Sequence, residues 1–155
     1  MLKFIVPGEP CAQGRPRFTT IGGYARAYDP AKSKNYKNFV KLLALQEMDK
    51  QGWLYTELPL KVTIAAYLEC PKSKSKRFRE AALSGKESPC KKPDVDNLFK
   101  TITDALSGVV YKDDKQICLA IIGKYYAEEP KVEVMIELLD NLGVHKSVIG
   151  LDSVE

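Results

Sequence analysis

Residues 92–116 read KPDVDNLFKTITDALSGVVYKDDKQ. Apolar residues fall at Val95, Leu98, Phe99, Ile102, Ala105 and Leu106. That is the i, i+3, i+4, i+7 spacing of one helix face. Pro93 stands just before the pattern and Gly108 just after it, both boundary signals. Such a helix needs an apolar layer to lie on, and the flanking segments supply one.

After the helix, residues 116–126 form an apolar run. Ile117, Leu119 and Ile121 alternate with Cys118, Ala120 and Ile122, which predicts a central strand buried on both faces, with Lys124 its odd member. A last strand begins at Pro130, with Val132, Val134, Ile136 and Leu138 inward and Glu133 and Glu137 outward. Upstream, residues 59–69 alternate strictly, with Leu60, Val62, Ile64, Ala66 and Leu68 on the buried side. Asp29-Pro30 is a cap followed by a first-turn proline. It opens a helix running to about Gln51 and stopped by Gly52, with Tyr36, Phe39, Val40, Leu43 and Ala44 as its buried stripe. Residues 2–6 read as a first strand, and 18–20 and 24–28 as a hairpin around Gly22-Gly23. A short helical pattern runs through Leu83 and stops at Gly85. This order gives an α+β fold: a single domain over residues 1–140, one mixed β-sheet packed with helices, and a C-terminal tail at 141–155.

At 155 residues, 45% hydrophobic and 28% charged, the chain is an ordinary globular one. No apolar run approaches the length of a membrane span. Cys11, Cys70, Cys90 and Cys118 are widely separated, and the single histidine is His145 in the tail. The usual zinc patterns are excluded, reduced thiols are expected, and with them a cytoplasmic location. The net charge of +4 is unevenly spread. Residues 10–41 carry seven Lys or Arg against one acid, and 71–92 carry eight against two. Residues 93–140 reverse the sign, with five bases against ten acids. Two basic segments flanking an acidic one suit a polyanionic substrate brought to a cation-binding centre, although a solvated mixed surface fits too.

The acidic centre holds Asp94, Asp96, Asp104, Asp113 and Asp114. Two carboxylates about 4 Å apart repel by about 4 kcal/mol at an effective dielectric near 20, so they either diverge into water or share a cation. Asp96, Lys100 and Asp104 are spaced by four, along one edge of the helix. Asp94 precedes it, where a side chain can cap the helix or bind a cation; spacing leaves both open. Asp113-Asp114 lies past the helix end and can meet the first pair if the loop folds back. Carboxylates without histidine or thiolate suit Mg²⁺ or Mn²⁺. An EF-hand fails, since Phe99 and Ala105 fall where glycine and the last acid belong. A two-carboxylate glycosidase leaves Lys100 unexplained. Acids, cation and lysine together suit phosphoryl transfer, with Lys100 neutralising charge in the transition state. Arg15 and Arg17, beside Phe18, suit phosphate and base contacts, as do Lys91, Lys92 and Lys124. Nucleotidyl transfer and a non-catalytic DNA-binding module remain the alternatives.

KPDVDNLFKTITDAL followed by GVVYKDDKQI closely resembles the signature of the RusA-like Holliday-junction resolvases, many of them from phages and prophages. The likeness is densest over residues 92–117 and extends more loosely to Gly14–Phe18 and residues 59–69. It implies a homodimeric, Mg²⁺-dependent endonuclease that cuts four-way DNA junctions in symmetric pairs. It implies Asp94, Asp96 and Asp114 as essential metal ligands, Asp113 as their support and Lys100 as the catalytic lysine. Pro93 before the first aspartate and the long basic segment 71–90 depart from compact members of that family.

Overall fold

The computed structural model describes residues 1–14, 17–21, 24–28 and 31–139, with side chains described for 1–14 and 31–139. In order, the elements are β1 (Leu2–Pro7), β2 (Arg17–Ile21), β3 (Tyr24–Tyr28), α1 (Ala31–Gln51), β4 (Leu60–Glu69), α2 (Lys76–Leu83), α3 (Val95–Leu106), β5 (Ile117–Ala127) and β6 (Lys131–Leu138). A single 3-10 turn, Asp114–Gln116, leads into β5. The Gly22-Gly23 turn, the Asp29-Pro30 cap and the tail 141–155 lie outside the described residues.

The mixed sheet is ordered β1-β6-β4-β5, and β2 and β3 pair separately. β4 runs antiparallel to β6 and parallel to β5. A parallel neighbour requires a crossover, and the segment carrying α2 and α3 provides it. Strict alternation in β4 buries Leu60, Val62, Ile64, Ala66 and Leu68 on one face. Leu2, Phe4 and Val6 of β1 and Val132, Val134 and Ile136 of β6 join them. Onto this face α1 sets Val40 and Ala44, and α3 sets Leu98, Ile102, Ala105 and Leu106.

Three expectations change. The run after the acidic stretch forms an edge strand rather than a central one, because β6 takes the inner place beside β4. Its outer residues accordingly face water, with Ile121 at 41% and Tyr125 at 49% exposure. Phe39 is 39% exposed, since α1 turns Val40 and Ala44 to the sheet and leaves Phe39 at the margin. Val95 and Leu138, at the ends of their elements, are exposed as well.

At the opposite edge, Gln51 closes α1 against β1. Lys3 N–H donates to Gln51 Oε1 at 3.0 Å, and Gln51 Nε2 donates to the Lys3 carbonyl at 2.6 Å. A side-chain amide thus fills the place of a further strand at that residue. Inside α3, Thr101 and Thr103 are buried without a cross-helix partner. Each hydroxyl donates one turn back, to the Asn97 and Phe99 carbonyls at 2.9 and 3.0 Å. Deleting the centre of the α3 stripe leaves a cavity: Leu98→Ala is expected to cost about 3 kcal/mol in urea unfolding, with an unchanged m-value.

Candidate active site

Burial of one face of α3 fixes the direction of the other. Asp94 occupies the N-cap position with extended backbone (φ −72°, ψ 146°), yet its side chain makes no capping hydrogen bond. Only its carbonyl is used, accepting from Leu98 N–H at 3.0 Å. The carboxylate is therefore not spent on the helix end. Asp94, Asp96 and Lys100 are all exposed, and none of these side chains has a hydrogen bond or ion pair among the described residues. Asp104, the third member of the row, is tied down: Lys37 of α1 donates to its Oδ2 at 3.3 Å. Eight residues separate Asp96 from Asp104, about 12 Å along the axis, with Lys100 midway.

The second acid pair is held by the loop that follows. Gly108 adopts φ +75° and its N–H reaches the Tyr111 carbonyl at 2.7 Å, turning the chain back along the helix. Tyr111 is fully buried and its hydroxyl donates to the Thr103 carbonyl at 3.2 Å. Burial above all, then the negative charges of Asp114 and Asp104, push its pKa well up.

Asp113 performs the capping that Asp94 does not. Its Oδ1 accepts from Lys115 N–H at 3.0 Å, and its own N–H donates to Gln116 Oε1 at 2.9 Å. The Lys115 N–H bond, chiefly, holds the Asp113 carboxyl below the usual range, and the adjoining Asp114 side chain acts in the same direction. The other end of the Gln116 amide donates to the Thr56 and Leu58 carbonyls at 3.1 and 3.0 Å. Lys112 adds an exposed ion pair to Glu57 at 2.8 Å. Gln116 is the fastener of this loop. Its sequence signal was the D-x-x-Q spacing of a capping box.

Lys124, expected among the DNA contacts, is engaged with the main chain. Its Nζ donates to the carbonyls of Lys91 and Pro93, at 2.7 and 3.1 Å. The Pro93 carbonyl belongs to the peptide that enters Asp94, so a side chain of β5 pins the segment before α3. Lys91 and Lys92 are exposed beside it, and Lys91 Nζ reaches the Glu69 carbonyl at 3.4 Å. Arg15 lies outside the described residues, and of Arg17 only the backbone, in β2, is described. Sequence reading missed Lys37, Tyr111 and Gln116. The first two lack any local signal, because their partners lie 67 and 8 residues away.

The four candidate ligands stand as two pairs, Asp94 with Asp96 and Asp113 with Asp114, rather than as one cage. Among the described residues no three acids, histidines or cysteines are grouped to hold a metal ion. Mg²⁺ does not require such a cage, since it commonly takes one or two carboxylates, keeps waters and completes its shell with substrate phosphate. The donor chemistry of either pair suits that mode.

A family model described as endodeoxyribonuclease RusA matches residues 7–137. The chain belongs to the RusA family. Its match covers all the elements from β2 to β5 and most of β6, including both acid pairs and Lys100. An uncharacterized protein of Bacillus subtilis (strain 168), YqaN, is 44% identical over 137 residues, which is 87% of this chain and 94% of that protein. RusA proteins are endodeoxyribonucleases of branched DNA, in keeping with the mixed charge of this chain.

Two tests bear on this architecture. Lys124→Met is expected to speed amide hydrogen exchange over residues 91–96, and Gln116→Ala over 113–117, each leaving the other segment unchanged. The depressed Asp113 pKa stabilises the fold above the ordinary carboxylate range, and that stabilisation is lost as pH falls through the lowered value. The stability gap between wild type and Asp113→Asn, read by urea midpoints across acidic pH, is expected to close in that window.

Proposed function

We propose that this RusA-family protein is a divalent-cation-dependent endonuclease that resolves four-way DNA junctions by paired, symmetric nicks. The observation that carries the reading is the uncommitted set at the start of α3: Asp94, Asp96 and Lys100, three exposed ionic side chains without partners among the described residues. Groups that stabilised the fold would be paired, as Asp104 is with Lys37. Mg²⁺, with Mn²⁺ as substitute, is the cation in this reading; Asp94 with Asp96 would hold it from one side, and Asp114, with Asp113 behind it, would meet it from the other pair through water or substrate phosphate. When bound it would supply Lewis-acid polarisation of the phosphate. Lys100 offsets charge developing on the non-bridging oxygens. Phosphate contacts fall to the exposed Lys91 and Lys92 and to Arg15 and Arg17.

A four-way junction is pseudo-symmetric and needs two nicks, so a homodimer with two-fold symmetry is part of the proposal. So is a cytoplasmic location, where free thiols such as the exposed Cys90 and Cys118 persist. No helix among the described residues is long and apolar enough to cross a membrane.

The experiment is a cleavage panel of four-way, three-way, flap and linear duplex substrates, with Mg²⁺ and with EDTA. Cleavage is expected on the four-way junction only when cation is present. Asp96→Asn should retain junction binding while losing cleavage, and Lys100→Met should slow it by about a hundredfold or more. Cleavage of every substrate alike, or an Asp96→Asn variant cutting at the normal rate, would sink the assignment.

A further inference from the structure

Two aromatic pairs stand where α2 meets the edge strand β5. Tyr67 and Tyr125 are register partners on neighbouring strands, with ring centroids 5.5 Å apart and planes inclined by 34°. Phe78 of α2 meets Tyr126 edge-on at 6.0 Å. Tyr125 lies back over its own strand at Gly123, where any Cβ would come within 2.5 Å of its hydroxyl. Glycine there allows the ring to lie along the sheet while remaining 49% exposed. Between these rings and the turn after α2 is a cleft of about 310 Å³, lined by Tyr67, Tyr125, Tyr126, Ser84, Glu87 and Ser88.

The charges around it select its occupant. Lys91 Nζ stands 5.7 Å from the Tyr126 ring centre, and Lys74 Nζ 5.3 Å from that of Phe78. Lys131 Nζ lies 5.0 Å from the Tyr67 centre, but its charge is matched by Glu133 at 2.8 Å. Cations therefore sit over the Tyr126, Phe78 and Tyr67 rings, outside the lining, while the lining holds a carboxylate. Glu87 would repel a phosphate. It would accept a hydrogen bond from the exocyclic amine of a base, and the exposed Tyr125 ring offers any base a stacking face. Lys91 links the aromatic groups to the segment of the candidate site: it overhangs Tyr126, gives its carbonyl to Lys124 and stands three residues before Asp94.

From these observations, and resting on the functional reading above, we infer that the Tyr67–Tyr125–Tyr126 cleft is a nucleobase site. It takes a base unstacked at the branch point of the DNA, while Lys91 and the neighbouring basic segment hold the flanking phosphates. Unstacking costs least where a helix is already interrupted, so the cleft favours branched over continuous duplex.

The test uses the full chain in EDTA, with a four-way junction carrying 2-aminopurine beside the crossover. Wild type and Tyr125→Phe are expected to change the 2-aminopurine fluorescence on binding, and Tyr125→Ala to leave it unchanged. Tyr125→Ala should weaken junction affinity about tenfold and leave linear duplex affinity within about twofold. Equal binding and an equal fluorescence response by Tyr125→Ala would overturn the inference, as would an equal loss on junction and duplex. Photo-crosslinking from 5-iodouracil at the same position reads the contact on the unaltered chain. Crosslinks to Tyr67, Tyr125 or Tyr126 support the site, and crosslinks confined elsewhere overturn it. Wild-type cleavage with Mg²⁺ separates the two readings: cleavage without the tyrosine contact removes the cleft alone. A chain that neither prefers nor cuts the junction removes the functional reading and the cleft with it.

Discussion

Burial of Leu98, Ile102 and Leu106 against the sheet is the contact on which the other arrangements depend. A helix has one rotational setting once its apolar stripe is covered, so the same contact that stabilises α3 also aims Asp96 and Lys100 into solvent. Burial of three such side chains is worth about 1.5–3 kcal/mol each, together more than the repulsion of about 4 kcal/mol between one pair of acids about 4 Å apart. The chain can therefore hold unpaired charges at its surface. Their cost is carried by a core with no part in the chemistry.

Two small polar devices then set the ends of that helix. Lys124 anchors the segment leading in, and Gln116 fastens the loop leading out to the segment between α1 and β4. Both spend side-chain donors on backbone carbonyls, groups that cannot move without moving the chain. Asp113, held by the same turn, is a structural carboxylate as much as a candidate ligand. Asp94 holds the reverse position: placed where a cap belongs, it leaves that work to its carbonyl alone.

Much of this was legible in the residues because it is local. Alternation over 59–69 gave β4 and its buried face, and the period of Val95 to Leu106 gave α3, because side-chain direction follows directly from backbone period. Strand order was not legible. An apolar run such as 117–122 has the same pattern whether it lies inside a sheet or at its edge, and the antiparallel return of β6 decided the matter. Nor could spacing say whether Asp94 caps, that Asp104 belongs to Lys37, or that Lys124 turns to two carbonyls 33 and 31 residues back. Each depends on a distant partner. The family signature pointed to the acids through their chemistry, while their division into two separate pairs is a property of the fold.

The amide plug at Lys3 bears on how copies of this chain can meet. An open strand edge invites another strand, and added strands can continue without end. Gln51 occupies both main-chain groups of Lys3, so a second molecule extending the sheet past β1 would first have to evict a side chain fixed to α1. The far edge, along β5, is flanked by α2 and the tyrosine cleft. A second copy is thereby kept from continuing the sheet at Lys3, and an open-ended run of added strands finds no template there.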